Sequence, residues 1–194
     1  MAEQTAPAAA ATLSPRIAQL KKKAAAGNAV AQVSLGLAYD LGEGVPEDED
    51  EAVQWYRLAA AQGDVDAQMS LGAVYWHGQG VPKDQAEGVK WYRLAAAQGN
   101  ARAQYFLGVA YRHGEGVPQD KAEGVKWYRL AAAQGHASAQ AYLNRLEGVK
   151  RFSSALNEVG EGCLGCLSVV GGLLLGLGGL VLLIWLVKTI WNAV

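Results

Sequence analysis

A register of 36 residues runs through the middle of this chain and limits its fold more than any other feature. Leu35, Leu71, Leu107 and Leu143 fall on it, as do Pro46, Pro82 and Pro118, and Trp55, Trp91 and Trp127. The units that begin at Gly63 and Gly99 agree at about two-thirds of their positions. A fixed period of this length marks an array of small supersecondary units. None of them can bury both faces of its own elements, so a core exists only where units stack.

Each unit reads as two helices and a hinge. In the first helix, Ala31, Leu35 and Tyr39 recur every four residues with Gly36 beside Leu35, which gives an apolar stripe with a gap where another backbone can approach. Asn28, Asp64 and Asn100 stand where an N-cap is needed, directly after Gly27, Gly63 and Gly99, glycines able to take the left-handed conformation that closes the preceding helix. The hinges GEGVPED, GQGVPKD and GEGVPQD stop the first helix with glycine and fix the start of the next with proline. The second helices open on Asp48-x-x-Glu51, Asp84-x-x-Glu87 and Asp120-x-x-Glu123, the pattern of a capping box with carboxylates at the positive end of the helix dipole. Gly88 and Gly124 just inside those helices predict a close helix crossing. With 24 glycines but only two phenylalanines and two methionines, the core must be built from close backbones filled by leucine, tyrosine and tryptophan.

The run A-x-x-x-L-G-x-x-Y-x-x-G-x-G-V-P-x-D, followed by V-x-W-Y-R-L-A-A-A-Q-G, resembles the Sel1-like repeats, relatives of the tetratricopeptide repeats, in their bacterial form. The resemblance covers about Gly27 to Gly148. It implies an all-α fold, an α/α superhelical solenoid whose first helices line a face that captures a partner protein or peptide, and a binding rather than an enzymatic role. A cysteine-rich subset of that family is linked to β-lactam or peptidoglycan-like ligands, and this chain lacks those cysteines.

The expected organisation is a disordered segment over 1–15, an N-terminal capping helix over 16–26, and repeats at 27–62, 63–98 and 99–134. A partial repeat at 135–148 follows, then a closing helix and linker over 149–162, a membrane span over 163–187 and a short tail over 188–194. Residues 1–15 have neither the basic start nor the apolar run of a secretory signal.

Comparing the units with one another separates what the fold needs from what it leaves free. The first helix keeps its alanine, leucine, glycine and tyrosine, while positions 30, 33, 37 and 40 vary between units and share one helical stripe. That stripe reads Val30, Val33, Leu37, Asp40, then Asp66, Met69, Ala73, Trp76, then Arg102, Tyr105, Val109, Arg112. Met69, Trp76, Arg102, Tyr105 and Arg112 are the candidate centre of a partner-binding groove, because aromatic and arginine side chains dominate binding energy where they cluster. A solvated surface that has merely drifted fits the same letters.

No catalytic, metal or nucleotide pattern stands out. His77 and His113 lie a full repeat apart with no ligand-spaced partner, and the hinges lack the strand and G-K-[ST] of a phosphate loop. His136 stands in the cap position of the partial repeat. A net charge of −1 gives no nucleic-acid footprint. No cofactor is expected.

From Cys163 to Val187 the chain carries no charged residue. As a helix this stretch measures about 37 Å at 1.5 Å per residue, against roughly 30 Å for a bilayer's hydrocarbon. Trp185, Trp191 and Lys188 mark one interface, and Lys150 with Arg151 on the other flank favours an inner-membrane orientation with the repeats cytoplasmic and the C-terminus outside. Gly165, Ser168, Gly172, Gly176 and Gly179 share one face, a pattern that allows two copies to pack closely into a homo-oligomer and equally suits a helix that stays alone. Cys163 and Cys166 read as small residues at the interface, with acylation, redox pairing or metal binding the alternatives. Two functions follow: a membrane-anchored adaptor, or a membrane-active oligomer regulated by the repeats.

Overall fold

The computed structural model describes residues 14–169. Eight helices are present among them and no strand: α1 (Pro15–Ala25), α2 (Ala29–Leu41), α3 (Glu49–Ala61), α4 (Val65–His77), α5 (Gln85–Ala97), α6 (Ala101–His113), α7 (Lys121–Ala133) and α8 (Ala137–Val169). The chain divides into a unit over Met1–Leu146 and a second over Glu147–Val194. The first holds an all-α solenoid in which α2, α4 and α6 are the first helices of successive repeats and α3, α5 and α7 the second. The capping helix expected at 16–26 is α1, with Pro15 in its first turn and the Ser14 hydroxyl accepting from the Ile17 N–H.

The caps form where the residues call for them. Asn28, Asp64 and Asn100 accept from the N–H groups of Ala31, Ala67 and Ala103 at 2.8–2.9 Å. Asp48, Asp84 and Asp120 accept from Glu51, Glu87 and Glu123 at 2.9 Å. The returning half of the capping box is absent. Each aspartate N–H instead donates to a carbonyl across the hinge, Asp48 to Tyr39, Asp84 to Tyr75 and Asp120 to Tyr111, at 2.8–3.0 Å. With that donor occupied, the glutamates turn elsewhere: Glu51 accepts from the Trp55 indole at 3.1 Å, while Glu87 and Glu123 pair with Lys90 and Lys126. The indole N–H groups of Trp91 and Trp127 are consequently buried without a partner among the described residues.

Within a repeat the two helices meet through one repeated contact. Leu35, Leu71 and Leu107 are fully buried, as are the rings of Tyr56, Tyr92 and Tyr128. Each ring lies on the glycine of the first helix: a Cβ added to Gly36, Gly72 or Gly108 would come within 2.4–2.7 Å of the tyrosine carbons. From the other side, a Cβ on Gly88 or Gly124 would stand 2.9 Å from the carbonyl oxygen of Gly72 or Gly108, so the expected close crossing is present.

Two ladders run on the same register, the first within each repeat and onward to the preceding helix, the second between repeats. Gln32, Gln68 and Gln104 are buried and accept from the side-chain amides of Gln62, Gln98 and Gln134 at 2.7–2.9 Å, and Gln32 and Gln104 donate onward to the carbonyls of Ala24 and Ala96 in the preceding second helix. Arg57 and Arg93 donate to the hydroxyls of Tyr75 and Tyr111 in the next repeat at 2.8 and 2.7 Å. The glutamine ladder thus ties the two helices of a unit together and, through Gln32 and Gln104, to the helix before them.

The partial repeat and closing helix expected at 135–148 and 149–162 form the single helix α8. In the second unit α8 presents Phe152 to solvent and pairs Arg151 loosely with Glu147 at 3.8 Å. Among the described residues no helix is long and apolar enough to cross a membrane. Of the span expected at 163–187, residues 163–169 fall in α8, and the rest of it, with Gly172, Gly176 and Gly179, lies outside the described residues together with the segment over 1–13.

Candidate partner-binding face

The variable stripe lies on α2, α4 and α6, held in place by the fixed alanine, leucine, glycine and tyrosine positions on the opposite side of each helix. At the first repeat it is apolar except for Asp40, and partly open. Val30 and Leu37 are 70% and 47% exposed, and a shallow groove against α1 is lined by Leu20, Val30, Ala31 and Ser34.

In the second and third repeats the candidate residues are not equivalent. Met69 is buried, packed with Val89, Tyr92 and Leu107 in the core between the repeats. The stripe is therefore not free of packing along its whole width: positions 33, 69 and 105 edge the seam toward the next unit, and Val33 and Tyr105 are also partly buried there. Trp76, Arg102, Tyr105 and Arg112 reach the surface and are joined by a continuous chain of rings. Trp76 stands 6.0 Å from Tyr92, which stacks on Phe106 at 5.1 Å. Phe106 meets Tyr105 edge-on at 5.7 Å, and Tyr105 meets Tyr128 at 5.6 Å and lies parallel to His136 at 4.5 Å. Tyr128 closes on Tyr142 at 4.4 Å. His136 also serves as a long N-cap, its Nδ1 accepting from the Ala139 N–H at 3.4 Å.

Both arginines rest on this chain. The Arg102 guanidinium lies 5.9 Å from the centre of Phe106, and that of Arg112 lies 4.7 Å from the centre of Tyr142. Contact of this kind attracts the cation to the ring and helps to position it. Neither arginine joins an ion pair among the described residues. Burial pushes the Tyr128 hydroxyl up to about 12, against the smaller opposing effect of Arg112. At the first repeat, the Asp40 carboxyl is raised by burial and then by the nearby charges of Glu49 and Glu47. His77 and His113 sit exposed at the ends of α4 and α6, and no cluster able to hold a metal ion occurs among the described residues.

Phe106 and Tyr142, which support the arginines, are not among the residues singled out from the sequence. Their signal is nonetheless there: on the 36-residue register the position reads Ser34, Ser70, Phe106, Tyr142, a change from small and polar to aromatic at the third repeat.

An array of paired helices with a divergent face on its first helices is a helical-repeat solenoid of the kind built for binding. The chain belongs to the Sel1 repeat family, whose model matches residues 29–64, 65–100 and 101–136. Sel1 repeat proteins generally act as protein-interaction scaffolds and are typically not enzymes. No curated protein matches the chain. Among solved structures it is similar to c5321, a protective antigen present in uropathogenic Escherichia coli strains and displaying an SLR fold. Identity is 49% and the TM-score 0.63, over 64% of this chain and 27% of that one. It is also similar to a Sel1 repeat protein from Oxalobacter formigenes, at 39% identity and a TM-score of 0.62, over 68% of this chain and 99% of that one. Helicobacter pylori cysteine rich protein B, at 18% identity and a TM-score of 0.56 over 68% of this chain and 97% of that one, shares the fold.

Proposed function

We propose that this protein is a membrane-anchored adaptor that captures a partner protein or peptide on the face formed by α2, α4 and α6. The observation that carries the reading is the pair of stacked, ion-pair-free arginines set with Trp76 and Tyr105 on one divergent stripe. Arginine and aromatic side chains held by packing and backed by a dry ring cluster have the character of binding hot spots. Capturing partners from cells with the wild-type chain and with Trp76→Ala/Arg112→Ala tests it. Loss of a specific partner from the double variant is expected, and identical catches would overturn the reading.

The anchor rests on the uncharged stretch over 163–187, with the repeats on the cytoplasmic side of an inner membrane and the C-terminus outside. Protease added to spheroplasts is expected to leave the repeats intact, and their digestion would reverse that orientation. Gly165, Ser168, Gly172, Gly176 and Gly179 would let two anchors pack together. A transmembrane-association reporter should lose signal with Gly172→Ile/Gly176→Ile, and an unchanged signal would argue for a solitary anchor.

A further inference from the structure

Charge is sorted along the repeats. Residues 27–62 carry seven carboxylates and one arginine, whereas residues 99–134 carry three carboxylates and five lysines or arginines. The sorting reaches the stripe itself: its last position, one residue per unit, is Asp40, then Trp76, then Arg112, and its first is Val30, then Asp66, then Arg102. Arg145 continues the basic side at the register of Val109, exposed on α8 within the first unit.

Neither end has an ion-pair partner among the described residues. Asp40 lies among the like charges of Glu47 and Glu49, and no ion pair among the described residues engages Asp40, Asp66, Arg102 or Arg112. On the second helices Lys90 and Lys126 pair with Glu87 and Glu123, while Lys121 and Arg129 join no ion pair among the described residues. The rings beside Arg102 and Arg112 restrict the two guanidinium groups, lowering the ordering entropy that a carboxylate contact must overcome.

Taking this face as the partner-binding one, we infer that its ligand is a polarised peptide segment of a partner protein, acidic where it crosses α6 and basic where it crosses α2, with an apolar or aromatic residue between them against Trp76. Like-charge contact at both ends would reject the reversed segment, so the same layout sets the direction in which the partner lies.

A phage-displayed random dodecapeptide library, selected on the full chain in detergent, tests this. Enriched sequences should carry aspartate or glutamate toward one end and lysine or arginine toward the other. A representative peptide should bind at least tenfold more weakly to Arg102→Ala/Arg112→Ala, and should weaken further as salt is raised. Arg102→Glu/Arg112→Glu should redirect selection to peptides basic at both ends. Enriched peptides without charge bias that photo-crosslink to α4 or α6 would overturn the polarity while leaving the binding face standing. A library with no binder, or with binders that crosslink only to the second helices, would overturn the face itself.

Discussion

The side-chain amide of Gln98 donates to Gln68 Oε1 across 2.9 Å, joining the end of one second helix to the buried middle of the first helix in its own repeat. Gln68 is 4% exposed while Gln98 is reached by solvent. Removing the buried partner therefore strips a packed, hydrogen-bonded side chain from the array, whereas the amide left behind can turn to water. Gln68→Ala is expected to lower unfolding free energy by about 1–3 kcal/mol. Gln140 occupies the same register but is exposed and bonded only to Asn144, so Gln140→Ala should change stability by less than about 0.5 kcal/mol. Urea unfolding of the two variants followed by circular dichroism compares them directly, and equal losses would mean the ladder contributes nothing specific.

Gly72 and Tyr92 give a second comparison. A Cβ at Gly72 would come within 2.4 Å of the ring, and the ring is fully buried with Trp76 and Phe106 against it. It has nowhere to move. Gly72→Ala should cost about 1–3 kcal/mol through overpacking. Gly148, around which an added Cβ meets nothing within 4 Å, should gain slightly from the same change, since alanine in a helix is better than glycine by roughly 0.5–1 kcal/mol. Thermal melts of Gly72→Ala and Gly148→Ala should therefore move in opposite directions.

The second-helix caps separate a one-way cap from a reciprocal box. Asp84 accepts from the Glu87 N–H, but its own N–H is already taken by the Tyr75 carbonyl. Asp84→Ala should lose about 1 kcal/mol. Glu87→Ala removes only a salt bridge to the exposed Lys90 and should lose less than about 0.5 kcal/mol. Equal losses in a denaturation series would show that the glutamate has a capping role after all.

What could be read in advance is what each 36-residue stretch imposes on itself. Gly42, Gly78 and Gly114 take left-handed backbone at the helix ends, and the aspartate and asparagine caps accept where their spacing places them, because a turn of helix decides these alone. The returning half of the capping box depends on a carbonyl nine residues upstream and across a hinge, Tyr39 for Asp48, so local spacing is silent about it. Met69 was open to the same error: a 3.6-residue stripe treats a helix as an isolated cylinder, and which flank meets the next repeat is set by stacking. The glutamine ladder was within reach, since Gln32, Gln68 and Gln104 stand on the register beside the alanines and Gln62, Gln98 and Gln134 close the second helices. A polar residue repeated on a packing face has to find a partner there.

Asp40 ties stability to the proposed binding role. Its carboxyl is raised above its ordinary 3.8 by burial, then by Glu49 and Glu47, so the folded chain holds this proton to higher pH than the unfolded chain does. With more protons bound in the folded state, stability falls as pH rises through the window from about 3.8 to the raised folded value. Asp40→Asn keeps the neutral form throughout. The variant should match wild type in melting temperature below that window and exceed it at neutral pH, with the difference opening as the wild-type carboxyl ionises. A difference that is constant with pH, or reversed in sign, would show that Asp40 is not held among like charges. An aspartate that destabilises the fold at neutral pH is the kind of residue retained for what it contacts, and the partner expected at this end of the stripe supplies the missing cation. Adding a selected basic-ended peptide should therefore raise the wild-type melting temperature at neutral pH more than that of Asp40→Asn, because only the ionised carboxyl gains a counter-charge.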